Sequence, residues 1–186
     1  GTFDPFVAKY NSDLALIWGQ NLGPSTVSDS EGVVGITTDE QGNVYACGQI
    51  QTMSGQPSFG DVDVFLVKLS AATGTVAWTR KFGTSGEDTC RAVAYQNGTI
   101  FLAGWTFGSL FGGWPEGQSD CWAAAFSAFG ERQWAVMVGT TTGDAFRGAT
   151  YDKDGSWYVV GATSTAFRGS TQYFGQADNI MLKIAP

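Results

Sequence analysis

The stretch Asp63-Val64-Phe65-Leu66-Val67-Lys68-Leu69 decides how the chain is read, because it recurs. Asp4-Pro5-Phe6-Val7-Ala8-Lys9-Tyr10 comes before it, and Asp120-Cys121-Trp122-Ala123-Ala124-Ala125-Phe126 and Asp178-Asn179-Ile180-Met181-Leu182-Lys183-Ile184 come after. The four Asp positions stand 59, 57 and 58 residues apart. That period is longer than those of helical repeats and close to those of propeller blades. Within the runs, Phe6, Ala8 and Tyr10 point one way and Val7 and Lys9 the other, with Phe65, Val67, Leu69 and Ile180, Leu182, Ile184 in step. Alternation with period two is the pattern of a β-strand.

Working outward, each run leads through a turn into a strand that carries Trp and ends in Gly. These segments are 18–23, 78–83 and 134–139, with offsets of 60 and 56 for both Trp18/Trp78/Trp134 and the closing glycines. Polar loops follow at 25–32, 84–89 and 140–145, then hairpins at 35–48, 92–104 and 148–161. Asp39-Glu40-Gln41-Gly42 and Asp152-Lys153-Asp154-Gly155 suit four-residue hairpin loops with a left-handed Gly, and Asn97-Gly98 suits a two-residue type I′ turn. The return strands at 44–48, 100–104 and 157–161 are almost continuously apolar, which predicts cover on both faces.

One repeat therefore holds four strands: a hairpin pair, an Asp strand and a Trp strand. Four-stranded antiparallel units at this period read as an all-β chain of β-propeller blades. Residues 1–186 form a single repeat domain, divided at about 4–62, 63–119 and 120–177 with a partial copy at 178–186. The chain holds three blades' worth of strands, below the four to eight blades of typical propellers. The expectation is completion by another copy or by missing sequence, with the hairpin at 149–161 of one copy joining the strands at 4–23 of another.

Composition narrows function. With 26 Gly, 13 Phe and 7 Trp and no sustained helical apolar period, almost no helix is expected. A net charge of −7 repels phosphate backbones and anionic lipid, so neither nucleic acid nor a membrane surface is an expected partner. No apolar run is long enough to span a bilayer and no start resembles a signal peptide, so a secreted protein would be represented here by its mature segment. The absence of histidine removes Ser-His-Asp and Cys-His chemistry and the commonest transition-metal ligand. Cys47, Cys90 and Cys121 lack CxxC spacing; three buried thiols are expected, with one disulfide and one free thiol as the alternative.

The acids need weighing one by one. Asp4, Asp63, Asp120 and Asp178 recur in every copy, so a shared structural need explains them better than catalysis or calcium; a carboxylate at a strand start accepts backbone N–H bonds from the loop before it. Asp39, Asp152 and Asp154 resemble the opening of a calcium loop but lack its closing Glu, and read as turn residues. Glu87, Asp88 and Asp144, with Asp29 and Glu31, gather on loops at one end and read as solvated surface. Phe59, Phe107, Phe111, Trp114, Tyr173 and Phe174 in the long loops suit wedging between blades or stacking on sugar rings. Asn97-Gly98-Thr99 is a glycosylation sequon at a hairpin tip.

Laid out this way, the chain resembles the seven-bladed β-propeller (SBBP-type) repeat family of bacterial and algal surface proteins. The family pattern D-x-F-V-x-K, then W, G-x-x-G-D-D and D-x-x-G-N-V-Y-x-x-G, is matched by residues 4–9, Trp18, Gly86-Glu87-Asp88 and residues 39–48. Departures are Ala125 in place of Lys, Tyr95-Gln96 in place of Asp, and Glu31-Gly32 in place of Gly-Asp. The resemblance implies an extracellular or cell-surface structural setting with no catalytic residues. Residues 69–78 also resemble the tryptophan docking motif of quinoprotein dehydrogenases, but only this copy has Thr-Gly before Trp and no adjacent Cys pair exists, so no cofactor is expected. The reading reached is a non-enzymatic scaffold that self-associates into a ring or fibril. Its alternatives are a carbohydrate-binding propeller and a carboxylate-based enzyme acting on polysaccharide.

Overall fold

The computed structural model of the chain describes residues 4–23, 32–167 and 175–185. Strands β1 (Phe6–Tyr10) and β2 (Leu16–Asn21) pair as a two-stranded ribbon. The strands β3 (Gly32–Thr38), β4 (Val44–Ile50), β5 (Asp63–Leu69) and β6 (Val76–Phe82) form an antiparallel sheet in chain order. A second such sheet holds β7 (Asp88–Gln96), β8 (Thr99–Thr106), β9 (Asp120–Ser127) and β10 (Arg132–Val138). The last sheet has three strands, β11 (Asp144–Tyr151), β12 (Trp157–Thr163) and β13 (Asp178–Ile184). The chain is all-β; the one helical element among the described residues is a single 3₁₀ turn at Leu110–Gly112. The sheets do not close into a barrel or ring among the described residues.

Local chemistry sets the hairpins. Gly42 and Gly155 take φ of 77° and 84° at the ends of the Asp-led loops, a region where a side chain costs energy and Gly does not. Asn97 and Gly98 both have positive φ, 47° and 83°, as a type I′ turn requires. Each first strand of a hairpin carries an irregularity at the same place, between Val33 and Gly35, Cys90 and Ala92, and Phe146 and Gly148. Val34, Arg91 and Arg147 are thus the extra residues of three equivalent bulges, and a bulge re-aims the side chain it carries.

Successive sheets stack in a constant pattern: β7 lies on β3, β4 and β5, and β11 lies on β7, β8 and β9. The core is accordingly divided into three layers between neighbouring sheets. Val7 and Trp18 pack with Ala46, Phe65 and Val67; Tyr45 and Leu66 pack with Leu102 and Trp122; Phe101 and Ala123 pack with Phe146, Val159 and Ile180. Phe65, Leu66, Val67 and Ile100, Phe101, Leu102 have no exposed surface at all, because those strands have a sheet on each side. At about 25 cal/mol per Å² of apolar area, complete burial on both faces makes these strands strong contributors to stability.

Two expectations need correction. The return strand β12 is covered on one face only: Trp157 and Val159 are buried but Val160 is 46% exposed, since no described sheet lies beyond it. The cysteines are not three thiols. Cys47 on β4 and Cys90 on β7 form a disulfide with Cα atoms 6.1 Å apart, and only Cys121 is free and buried. The bond ties the two four-stranded sheets together, which spacing along one sequence does not reveal.

Candidate functional site

The recurring Asp residues sit at strand starts and are held from the preceding loop. Asp63 accepts the Phe59 N–H at 3.0 Å and Asp120 accepts the Glu116 N–H at 3.0 Å, both from four residues upstream. Asp88 and Asp144 begin the first hairpin strands and are bound in the same way: Thr84 and Thr140 each donate their backbone N–H and hydroxyl, and Thr106 adds a second hydroxyl to Asp88. Asp63 and Asp88 come together across the sheet boundary. A Cβ placed on Gly83 would lie 2.0 Å from Asp63 Oδ1 and 2.9 Å from Asp88 Oδ2, and one on Gly139 would lie 1.7 Å from Asp120 Oδ1. That close approach accounts for the Gly that follows β6 and β10, at Gly83 and Gly139. Asp4 is exposed and Asp178 half-buried at the corresponding positions.

The two inner carboxylate pairs differ in what neutralises them. Lys81, fully buried, forms an ion pair with Asp63 and donates to the Pro57 carbonyl at 3.2 Å. Its equivalent beside Asp120 is Met137. Burial, with the negative charge of Asp144 adding to it, pushes the Asp120 carboxyl above its ordinary value against a backbone hydrogen bond at Gly117. Burial also raises Asp88 despite its Thr partners. Asp88 and Asp144 are fully buried, so the expectation of a solvated acidic surface fails at both; Asp29 and Glu31 lie outside the described residues. Among the described residues no group of three or more His, Cys, Asp or Glu is arranged to hold a metal.

A second repeated unit joins turn, strand and Lys. Asp39 accepts from Gln41 N (3.1 Å), Asn43 N (2.8 Å), Asn43 Nδ2 (2.9 Å) and the Tyr45 hydroxyl (3.2 Å), with Lys68 at 3.5 Å. Asp152 repeats this with Asp154 N, Ser156 N, Tyr158 Oη and Lys183. Burial by itself would raise Asp39, but the bonds from Asn43 and Tyr45 and the charge of Lys68 hold it below its ordinary value. In the middle copy the three positions read Gln96, Phe101 and Ala125. The departures from the repeat pattern are therefore one coordinated loss: Phe101 stacks on Trp157 at 4.6 Å, in a space where a charged partner would have no water.

The tryptophans bolt each sheet to the next. Trp18 Nε1 donates to Ala71 O and Trp78 Nε1 to Ala128 O, both at 3.2 Å, each reaching the turn after the Asp strand of the following sheet. Trp134 is half-buried. Of the loop aromatics, Phe111 packs on Phe82 and Trp122, whereas Phe59 and Phe107 are 44% and 49% exposed and Trp114 is 88% exposed. Tyr173 and Phe174 lie outside the described residues. Asn97 is exposed at its hairpin tip.

No family model matches the chain, and no curated protein matches it. The arrangement has to be read from its own geometry.

The most distinctive surfaces are the edges of the outer sheets. The ribbon β1–β2 contains an Asp strand and a Trp strand; the last sheet contains a hairpin and an Asp strand. Beside β13 runs an apolar groove of 320 Å³ lined by Trp134, Val136, Val138, Phe146, Leu182 and Ile184. In both four-stranded sheets the Trp strand occupies the edge next to the Asp strand. Phe6 and Tyr10 on β1, Leu16 and Ile17 around β2, and Met181 on β13 are more than half exposed or close to it. On the side of the hairpin at 149–161 that faces the Asp strand no edge is free: β12 is fully paired with β13, from Trp157↔Ile184 to Thr163↔Asp178, so the edge on that side of the sheet is β13.

Proposed function

We propose that this is a non-enzymatic extracellular scaffold of the SBBP type, built of β-propeller blades of about 58 residues, which assembles through its outer sheets. The observation that carries the reading is the groove beside β13, which lies where the Trp strand lies in the complete sheets. Its occupant is β2 of a second copy. β1 and β13 are equivalent strands of the repeat, so β13 can take over the partner of β1 in a domain swap. The internal registers Lys9↔Trp18 and Lys68↔Trp78 then place Lys183 opposite Trp18 of the other copy and Met181 opposite Gln20. Whether the rotation between copies closes decides between ring and fibril. Further blades of a longer chain would fill the same edge. The Cys47–Cys90 disulfide supports an oxidising compartment, and the exposed Asn97 turn is offered as a glycan site.

The test is a Met181→Cys/Gln20→Cys variant of the chain at micromolar concentration, with sedimentation velocity on the unmodified protein. Intermolecular cross-linking, with association that rises with concentration, is expected. A well-folded monomer that forms no cross-link would overturn the assembly mode.

A further inference from the structure

Three equivalent bulges bring Val34, Arg91 and Arg147 to one place. With Trp105, Phe107 and Ser119 they line an open cavity of 590 Å³ where the first hairpin strands β3, β7 and β11 come together. This volume lies in the range of small-molecule sites.

The charges there are out of keeping with the rest of the chain. The protein has ten Lys and Arg against seventeen acids. Among the described residues, nearly all of its cations are engaged. Lys9 bonds a carbonyl, Lys68, Lys81 and Lys183 pair with Asp, Arg80 donates to Gly130 O and Phe129 O, and Arg132 lies over Phe111. Arg91 and Arg147 have no acidic, carbonyl or aromatic partner among the described residues, and apart from Lys153 they are alone in this. Two unneutralised guanidiniums at one cavity, on a chain of net charge −7, create a local site for an anion. Arginine rather than lysine at both points suits a planar carboxylate, which its fork can bind in bidentate fashion.

The other walls restrict the ligand further. Trp105 and Phe107 meet edge to face at 5.1 Å, and Phe107 keeps 49% of its surface exposed. Such rings stack on the apolar face of a flat or puckered ring. Ser119 donates its hydroxyl to Asp144 O at 3.3 Å, so its oxygen keeps the capacity to accept a hydrogen bond from a ligand hydroxyl. A small inorganic anion would use the arginines and leave the aromatics idle, and a neutral sugar would do the reverse.

We propose that this cavity binds a carboxylate-bearing sugar, with Arg91 and Arg147 holding the carboxylate and Trp105 and Phe107 the ring. The cavity is formed within one chain, so the site does not depend on the assembly proposed above.

The experiment is calorimetric titration of the purified 186-residue chain with a uronic-acid disaccharide, a neutral disaccharide of the same size and inorganic sulfate, at low ionic strength. The uronate is expected to bind at least about tenfold more tightly than either of the others, and Arg91→Ala or Arg147→Ala to weaken it by about tenfold or more. Phe107→Ala should weaken the uronate while leaving sulfate unchanged. Thermal melts establish that each variant is folded, and Arg147, being exposed, carries the test if Arg91→Ala does not fold. Equal affinity for the neutral sugar, sulfate binding as tightly as the uronate, or no uronate binding overturns the proposal.

Discussion

The two four-stranded sheets have the same strands in the same order, yet they handle buried charge in opposite ways. In the β3–β6 sheet, Asp63 is matched by Lys81 and Asp39 by Tyr45 and Lys68. In the β7–β10 sheet the corresponding positions are Met137, Phe101 and Ala125, although Asp63 and Asp120 alike keep one buried oxygen with no hydrogen-bond partner. The second sheet has packing where the first has cations, and its carboxylates are held by loop N–H groups and, at Asp88, by Thr hydroxyls. A four-stranded sheet of this repeat thus tolerates either an ionic or an apolar interior, provided the Asp at the strand start keeps its loop bonds.

The largest break in this comparison is Lys81→Met. It strands the Asp63 carboxylate without a counter-charge, and about 3–5 kcal/mol of stability should be lost. The reciprocal control, Met137→Leu, should cost less than about 1.5 kcal/mol. Urea denaturation of both proteins measures the contrast, and Lys81→Met/Asp63→Asn should recover most of the loss. Equal destabilisation by the two single changes would mean that the buried ion pair does not distinguish the sheets.

The second break is at the turns. Asp39→Ala removes the acceptor for two backbone N–H groups and for the buried Tyr45 hydroxyl, and should cost about 1–3 kcal/mol. Gln96→Ala, at the corresponding turn of the other sheet, removes a single bond from its amide to Asp152 O at 3.1 Å and should cost about 0.5–1 kcal/mol.

What could be read in advance follows from the range of the interactions involved. Strand number, hairpin position and turn type are set by residues within a few places of one another, so Asp39-Gly42 and Asn97-Gly98 announce their geometry. The period of about 58 residues exposes the order of strands for the same reason. The Cys47–Cys90 bond, the Lys81–Asp63 pair and the burial of Asp88 and Asp144 arise between sheets. They depend on which faces meet, and local patterning is silent on that. The convergence of Arg91 and Arg147 was hidden differently: a bulge shifts the strand alternation by one, so counting residues two by two assigns them the wrong direction. The shared bulge position, one residue before Gly35, Ala92 and Gly148, was the signal that could have found them.

The smallest effect concerns pH and sharpens the comparison further. The folded Asp120 carboxyl is raised above its unfolded value of 3.8, chiefly by burial, so its contribution is fully present below 3.8 and is lost as pH rises through the folded value. Asp39 is lowered, so its contribution is present above 3.8 and is lost as pH falls through its folded value. Asp120→Asn should therefore gain most relative to the unchanged protein at pH 7, and the gain should shrink as pH falls toward 4. Urea midpoints at pH 7, 5 and 4 provide the measurement. A pH-independent difference would show that Asp120 does not titrate with folding.

The bond between Cys47 and Cys90 also fixes how the molecule answers a pulling force. Tension applied at its two ends passes from β4 to β7 through the sulfur atoms and bypasses β5 and β6. The bypassed segment spans 43 residues, so at roughly 3.5 Å per extended residue about 150 Å of chain stays out of reach until the bond is reduced. Under load the oxidised protein would lengthen in two pieces at its flanks around a shielded middle, while the reduced protein would pay out that hidden length as well.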